Sequence, residues 1–351
     1  MQYGYCGTAC SAVLLAMMVL GALLGCSGRA VEATLPSEAD TEDDADKAPP
    51  KTTLTDGDVS LHIYLPHAER GHYRGVRFDW SGHVARAMWK GHTYFGAFRK
   101  ADKPQHHDAN AVGPAGEFGM GTPLGYEEAT SGETFLKIGV GQLRKAADER
   151  YRFNKGYELV RPGAWTTEQD DGQITFRQAM RGDRGWAYAY TKRIALLDDQ
   201  PGFSITYTLE NTGSKVIDTT HYCHNFTIID GVPIGPGYRV ALPFEIAAEI
   251  KSDTVQVAGN TIVFRKPLHG SFFAQLTNFD DPADSGARII NERTGAGIEI
   301  QGDFTPVKYY LYAQSTAFCP EPYVAVKLAP GASKTWRTTY TLFETDTNEA
   351  Q

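Results

Sequence analysis

The feature that most constrains the fold is a succession of short segments rich in Val, Ile, Tyr, Phe and Thr, separated by Gly, Asn, Asp or Pro turns. Segments of this length and composition are typical of β-strands. Several alternate in polarity, as Phe203-Ser-Ile-Thr-Tyr-Thr-Leu209 does, so one face of each strand is expected to be buried. The clearest predicted strands are Val59–Leu65, Gln173–Met180, Ala187–Leu197, Phe203–Glu210, Thr254–Val257, Thr261–Phe264, Gly297–Gln301, Val307–Gln314 and Thr335–Phe343.

Helical patterns are scarce in the same sequence. The best helix candidate, Leu143–Arg150, is short, and no repeat of fixed period is present. Turn signals such as Asn211-Thr-Gly213 and Gly259-Asn260 lie between the strand segments. We therefore expect one large antiparallel all-β domain over 56–346, with a sandwich and a barrel not separable by the pattern alone.

Composition and charge narrow the possible functions. With 42% hydrophobic and 22% charged residues among 351, the chain has a globular composition, which excludes fibrous, wholly disordered and multi-span membrane classes. The net charge is −8, and no run is rich in Lys or Arg. A nucleic-acid partner is therefore not expected, because neutralising phosphates requires clustered cations.

The start of the chain has the pattern of an export signal over 1–25. The apolar stretch 11–25 has the length of a signal-peptide core and is too short for a bilayer span. It ends in Leu23-Leu24-Gly25-Cys26, which resembles a bacterial lipobox with Cys26 as the lipidated residue; a plain signal peptide is the alternative. Either interpretation predicts an exported protein of the periplasm or cell envelope. The lipobox interpretation adds an N-terminal lipid anchor as its only membrane contact.

The stretch 26–55 is predicted to be a disordered tether. Its segment 27–50 has two basic residues against seven acidic ones and ends in Ala48-Pro49-Pro50. Such a polar, acidic run cannot bury apolar surface. At the other end, 347–351 is predicted to be a short tail.

Motifs for metals and nucleotides are missing. The sequence has no HExxH, no paired CxxC, no GxGxxG opening a helix and no GxSxG. We therefore expect no metal and no cofactor, with His106-His107-Asp108 as a weak metal candidate in a stretch typical of an exposed loop. Beyond the signal and Cys26, Cys223 and Cys319 are compatible with one disulfide bond or with two buried thiols.

Two segments are denser in polar and aromatic groups than a structural strand requires. If 218–226 is extended, His221 and His224 lie on opposite faces, so one of them faces inward. In the second segment, Glu321 stands between two prolines. Prolines fix the backbone and remove donors, so this carboxylate is rigidly aimed at an irregular or edge position; a surface turn is the alternative.

A His and a Glu that face each other across a pocket form a workable general acid and base. Aromatic residues around them would suit a sugar ring, which has apolar C–H faces and a rim of hydroxyls. The residues alone therefore point to an acid–base site for a sugar-like molecule.

The chain resembles the galactose mutarotases, or aldose 1-epimerases, over roughly 58–345. In that family a catalytic Glu precedes a Pro-Gly turn and a last strand, and a catalytic His follows an Asn-x-Gly turn earlier in the chain. The matching features here are Glu321-Pro322, Pro330-Gly331, Trp336, Tyr340, Asn211-Thr-Gly213 and the run from Thr220 to Asn225. The resemblance implies a β-supersandwich fold, a carbohydrate substrate and an isomerase that needs no metal or cofactor.

Two histidines match the family pattern in different ways. The spacing to Asn225 puts His221 in the place of the catalytic His, whereas the Tyr-x-His-Asn-Phe arrangement of mutarotase-like relatives points to His224, which we favour. The usual upstream Gly-Asn-His run is absent. The segments that replace it, 73–80 and 127–141, resemble a bacterial branch of uncharacterised mutarotase-like proteins.

The resemblance implies a mechanism in which Glu321 removes the proton from the anomeric hydroxyl while His224 protonates the ring oxygen. The ring opens, the C1–C2 bond rotates, and reclosure gives the other anomer. Cations would hold hydroxyls or a carboxylate, Arg77 being favoured because it lies in an aromatic run. The predicted substrate-binding residues are Arg77, Arg74, Lys137, Arg177, His221, Tyr222, Asn225 and Gln314.

Other functions fit the same residues. One is an epimerase or lyase that acts on a uronic-acid-containing glycan, with the same base taking a C–H proton. Another is a non-catalytic carbohydrate-binding lipoprotein, in which the His and the Glu only hydrogen-bond hydroxyls. For the cations, solvated charges or structural ion pairs are the simpler alternative.

Overall fold

The computed structural model describes residues 48–99, 106–247, 250 and 252–345. The predicted signal peptide, Cys26, most of the predicted tether and the 347–351 tail lie outside these residues. Within the described ranges, no helix is both long enough and apolar enough to span a bilayer.

The described chain consists of 22 β-strands and three short 3-10 turns. The strands are β1 Lys51–Asp56, β2 Val59–Tyr64, β3 His83–Trp89, β4 His92–Thr93, β5 Ala115–Phe118, β6 Thr134–Lys137, β7 Gly141–Arg144, β8 Glu158–Pro162, β9 Trp165–Asp170, β10 Gln173–Arg181, β11 Ala187–Leu196, β12 Gly202–Glu210, β13 Ile217–His224, β14 Tyr238–Ala241, β15 Val255–Ala258, β16 Thr261–Phe264, β17 Phe272–Leu276, β18 Ala287–Asn291, β19 Ala296–Gly302, β20 Lys308–Gln314, β21 Ala317–Leu328 and β22 Ser333–Glu344.

The strands form two large antiparallel sheets and two small ones. The ten-stranded sheet has the order β15-β16-β14-β18-β19-β22-β12-β11-β10-β9, and the five-stranded sheet has the order β17-β20-β21-β13-β5. The small sheets are β1-β2-β3-β4 and β6-β7-β8. The expected all-β antiparallel fold is therefore confirmed.

The core fills the space between the two large sheets. Trp336 of β22 and Tyr207 of β12 stack 5.6 Å apart, and both rings contact His221 of β13 in the opposite sheet. Alternation along each strand produces this packing, because every second side chain points into the same layer. The other face of the five-stranded sheet is therefore free to line a cavity.

Most predicted strands are present with small changes at their ends. The short helix candidate Leu143–Arg150 is not a helix: Leu143 belongs to β7, where it pairs with Phe135 and Leu159, and the strand ends at Arg144. Sheet pairing overrides local helix propensity there. The predicted end of the tether at residue 55 was wrong, because β1 begins at Lys51, inside the stretch expected to be disordered, and pairs with β2.

Gly139 is a point where the backbone of one loop passes against another. Its φ is +80°, and a β-carbon at this position would overlap the β-carbon of Asp79. Gly132 has a similar φ of +89°, but a β-carbon there would meet nothing within 4 Å. The two glycines therefore separate the cost of a left-handed backbone from the cost of steric overlap.

We predict that Gly139→Ala lowers the free energy of unfolding by about 3 kcal/mol, from the left-handed backbone and from overpacking together. Gly132→Ala has only the backbone cost, about 1 kcal/mol. Urea denaturation of both variants measures the difference. Equal losses in the two variants would contradict the close contact with Asp79.

Candidate functional site

A cavity of about 680 Å³ lies on the free face of the five-stranded sheet. Four neighbouring strands contribute its floor through alternate residues, and the loops that follow β2 and β4 supply part of the opposite wall. The floor residues are Tyr222 and His224 of β13, Glu321 and Tyr323 of β21, Tyr310 and Tyr312 of β20, and Phe273 and Gln275 of β17.

Glu321 and His224 meet on this floor. Glu321 Oε1 lies 3.3 Å from His224 Nε2, and the two side chains are only 7% and 6% exposed. Oε1 of Glu321 is buried and has no hydrogen-bond partner among the described residues. A buried polar atom without a partner is costly, which marks this oxygen as one that a ligand would satisfy.

The two prolines place Glu321 within a buried strand rather than in a surface turn. Along this part of β21 the regular ladder is formed with β20 alone, because the pairing with β13 covers only Val324–Leu328. The side chain of Asn225 takes over on the open side, where its Nδ2 donates to the carbonyl of Pro320 at 2.7 Å. Because the ladder here is formed on one side only, this part of β21 resembles an edge strand and tolerates the two prolines that flank Glu321, in line with the expected position.

The imidazole of His224 is held on its other side. Its ring stacks on Phe226 at 4.1 Å, and Nδ1 lies 2.9 Å from the sulfur of Cys319. Because Nδ1 is engaged, Nε2 is the nitrogen that faces Glu321 and the cavity. Cys319 and Cys223 are free thiols, and Cys223 contacts Tyr207 in the core instead.

The environment shifts both titrating groups toward their neutral forms. Burial raises the pKa of Glu321 to about 8, although Arg77 lowers it. Burial, and then the charge of Arg77, lower the pKa of His224 well below its ordinary value. At neutral pH the pair therefore holds one proton, on the carboxyl, next to an imidazole that can accept it.

Arg77 lies in the cavity above a buried ion network. Its Nε donates to Glu117 at 2.8 Å and its Nη2 donates to the hydroxyl of Tyr222 at 2.8 Å. The same hydroxyl donates to Glu117 at 2.6 Å, and Lys137 donates to Glu117 at 3.2 Å. Two cations thus share one carboxylate, and the guanidinium is fixed over the ring of Phe153.

A single tyrosine ties the Arg77 segment to the opposite loop. The hydroxyl of Tyr73 accepts from the backbone N–H groups of Arg77 and Phe78 and donates to the carbonyl of His107 at 2.6 Å. Since His107 also lines the cavity, this hydroxyl positions two of its walls together.

Not every predicted site residue lies at the cavity. His221 faces the core, where Trp336 Nε1 donates to its Nδ1, because strand alternation turns it away from His224. Arg177 is on the exposed face of β10 and pairs with Glu168.

The remaining predicted residues support the cavity or lie beside it. Asn225 anchors β21, Lys137 is buried against Glu117, and Gln314 donates to the hydroxyl of Tyr312. Arg74 is not among the lining residues. Of the predicted residues, the structure therefore brings Glu321, His224, Arg77 and Tyr222 together around the cavity.

Sequence reasoning missed Glu117 and the tyrosines of β20 and β21. A lone carboxylate in the apolar run Ala115-Gly-Glu-Phe118 was a usable signal, because an unpaired charge is rarely placed in a buried strand. Tyr323 had a signal of the same strength, since it stands two residues after Glu321 and an extended strand puts both on one face. Tyr310 and Tyr312 gave no such signal, because they reach the site only through the pairing of β20 with β21.

In the described part of the chain, two groups of side chains have ligand atoms within 4.8 Å of one another, as a metal site requires. They are His106, His107 and Asp108 in the loop after β4, and His224, Cys319 and Glu321 at the cavity floor. Asp108 is already engaged by His106 at 2.7 Å and by Arg99 at 3.3 Å. Burial raises the pKa of Cys319 well above its ordinary value, which disfavours the thiolate that binds metals.

We predict that Glu117→Gln lowers the free energy of unfolding by about 3–5 kcal/mol, because it leaves two buried cations without an anion. Glu158 is a matched control: it pairs with Arg144 through the same atoms at the same 2.8 Å as Glu117 with Arg77, but on the surface. Glu158→Gln should cost less than about 1 kcal/mol. Urea denaturation of both variants checks this; similar small losses would contradict the network.

Comparisons with known proteins agree on the fold. No protein-family model and no curated protein matches the sequence. A galactose mutarotase-like protein from Lactobacillus casei matches 84% of this chain over 100% of its own, with 14% identity and a TM-score of 0.50. The GalM/aldose epimerase homologue from C. elegans (85% and 100%, 11% identity, TM-score 0.53) and the Slr1438 protein from Synechocystis (85% and 97%, 12% identity, TM-score 0.53) also match. The chain therefore has the galactose mutarotase-like fold.

Proposed function

We propose that this protein is a carbohydrate isomerase that interconverts the anomers of a sugar, with Glu321 and His224 as its acid–base pair. The observation that carries the proposal is the buried Oε1 of Glu321, which lacks a partner among the described residues and lies 3.3 Å from His224 Nε2. A ligand hydroxyl between these atoms would satisfy the carboxyl and contact the imidazole.

The cavity suits a sugar in size and lining. Its volume of about 680 Å³ falls in the range of small-molecule sites, roughly 300–1,000 Å³. Tyr310, Tyr312 and Tyr323 present rings for the apolar C–H faces of a pyranose. The outer N–H groups of Arg77 supply donors for hydroxyls at a fixed position, because Glu117 and Tyr222 hold the guanidinium from behind.

The chemistry needs only the one proton that the pair holds. In the arrangement with the proton on His224, the carboxylate of Glu321 takes the proton of the anomeric hydroxyl while Nε2 protonates the ring oxygen. The bond between C1 and the ring oxygen breaks, and C1 becomes an aldehyde carbon. After rotation about C1–C2 the two groups exchange roles, the ring closes, and the proton count of the pair is restored.

Proton transfer between the two side chains prepares this arrangement. Glu321 Oε1 and His224 Nε2 are 3.3 Å apart, so a small approach brings them into hydrogen-bond contact. The nearby charge of Arg77 lowers the pKa of both groups, so it favours the ionised carboxyl and opposes the protonated imidazole. Export and a lipid anchor at Cys26 are part of the proposal on the strength of the N-terminal sequence.

We predict that Glu321→Gln and His224→Ala each slow α-to-β anomer exchange by about 10²–10⁴-fold, because each removes one proton-transfer group. Exchange NMR with a panel of hexoses and uronic acids measures the rate. Glu168→Gln is the control, since Glu168 is an exposed carboxylate paired with Arg177 away from the cavity, and it should leave the rate unchanged. Sugar binding by the wild type without faster exchange would support a non-catalytic binding protein and contradict the proposal.

A further inference from the structure

Phe273 is exposed to an unusual degree for an aromatic residue. The residue is 62% exposed, more than the other exposed large hydrophobic residues of the described ranges, which are Val160, Val216 and Val307 at 40–49%. The ring is nevertheless well placed, because it stacks on Tyr310 with centroids 5.3 Å apart and planes at 27°. One face of a fixed aromatic ring is thus presented to solvent at the edge of the cavity.

The position of Phe273 joins two cavities. Phe273 and Gln275 line the main cavity and also a neighbouring one of about 370 Å³. Ser271 and His269 line the second cavity as well. A groove therefore continues past the edge strand β17, with an aromatic face at its centre and polar side chains beyond it.

The strand order sets the distance from the reacting groups. Glu321 pairs with Tyr310 of β20, and Tyr310 pairs with Gln275 of β17, so two strand spacings separate Glu321 from the β17 residues. Two spacings amount to about 10 Å. This is further than one pyranose ring spans, so a monosaccharide held at Glu321 and His224 would leave Phe273 uncovered.

We propose that Phe273, Gln275 and the adjoining cavity form a subsite for a second sugar ring, so that the preferred substrate is the reducing end of an oligosaccharide. The inference rests on the proposed function. Anomerisation requires a free hydroxyl at C1 of the reacting ring. The rest of the glycan must therefore be attached to that ring through one of its other hydroxyls. Its next ring would place a C–H face on the phenyl group of Phe273 and its hydroxyls near Gln275 and Ser271.

The test compares reducing disaccharides with the monosaccharides of their reducing ends, using maltose, cellobiose and lactose against glucose. Exchange NMR gives kcat/KM and titration calorimetry gives affinity. We expect the wild type to favour at least one disaccharide by about tenfold in both measurements, as one stacked ring face would supply. Phe273→Ala should remove this preference and leave kcat/KM and affinity for glucose within about twofold. Phe273→Trp should keep the preference. Val216→Ala, at an exposed site elsewhere, should change neither measurement.

The two measurements separate the two proposals. Equal affinity for disaccharides and glucose, or a Phe273→Ala variant that weakens both equally, overturns the subsite. A disaccharide preference in binding that depends on Phe273, without any exchange, supports the subsite and overturns the isomerase.

Discussion

The buried carboxyl of Glu321 is the group on which the rest of the site depends. It lies in β21 between two prolines. At this point β21 forms a regular ladder with β20 but not with β13, and this one-sided pairing tolerates the prolines. His224, fixed by Cys319 and Phe226, faces the free oxygen at 3.3 Å. Burial of a carboxyl without a partner costs stability. The same burial raises the pKa of this carboxyl to about 8, so the group still carries a proton near neutral pH.

A second buried network, formed by Glu117, Arg77 and Lys137, sets the charge next to the pair of Glu321 and His224. Glu117 is shared by Arg77 and Lys137, so the network carries one excess positive charge beneath the site. Within the network, the charge of Arg77 lowers the pKa of His224 and of Glu321, while the charge of Glu117 raises the pKa of Glu321. Arg77 thus lines the cavity from the loop after β2 and lowers the pKa of both groups of the pair, while Tyr73 holds its backbone in place.

The sequence was sufficient for the fold class and for the two acid–base candidates. Alternation in polarity identified the strands and put His221 and His224 on opposite faces, and the prolines marked Glu321. The sequence could not show that β20 brings Tyr310 beside Glu321, or that β17 places Phe273 one strand further along the same cavity, since both positions follow only from strand pairing. It also overrated Arg177, because an Arg on an exposed strand face has the same local pattern as one in a cavity.

The pH dependence of catalysed anomer exchange tests the central claim most directly, once the solvent-catalysed background is subtracted. The pair must hold one proton, and the pKa of Glu321 is raised to about 8. Above that pH the carboxyl loses the proton while His224 is already neutral, so no acid remains. The account predicts a constant rate near neutral pH and a fall of about tenfold per pH unit above about pH 8. A rate that stays constant up to about pH 10 would contradict it.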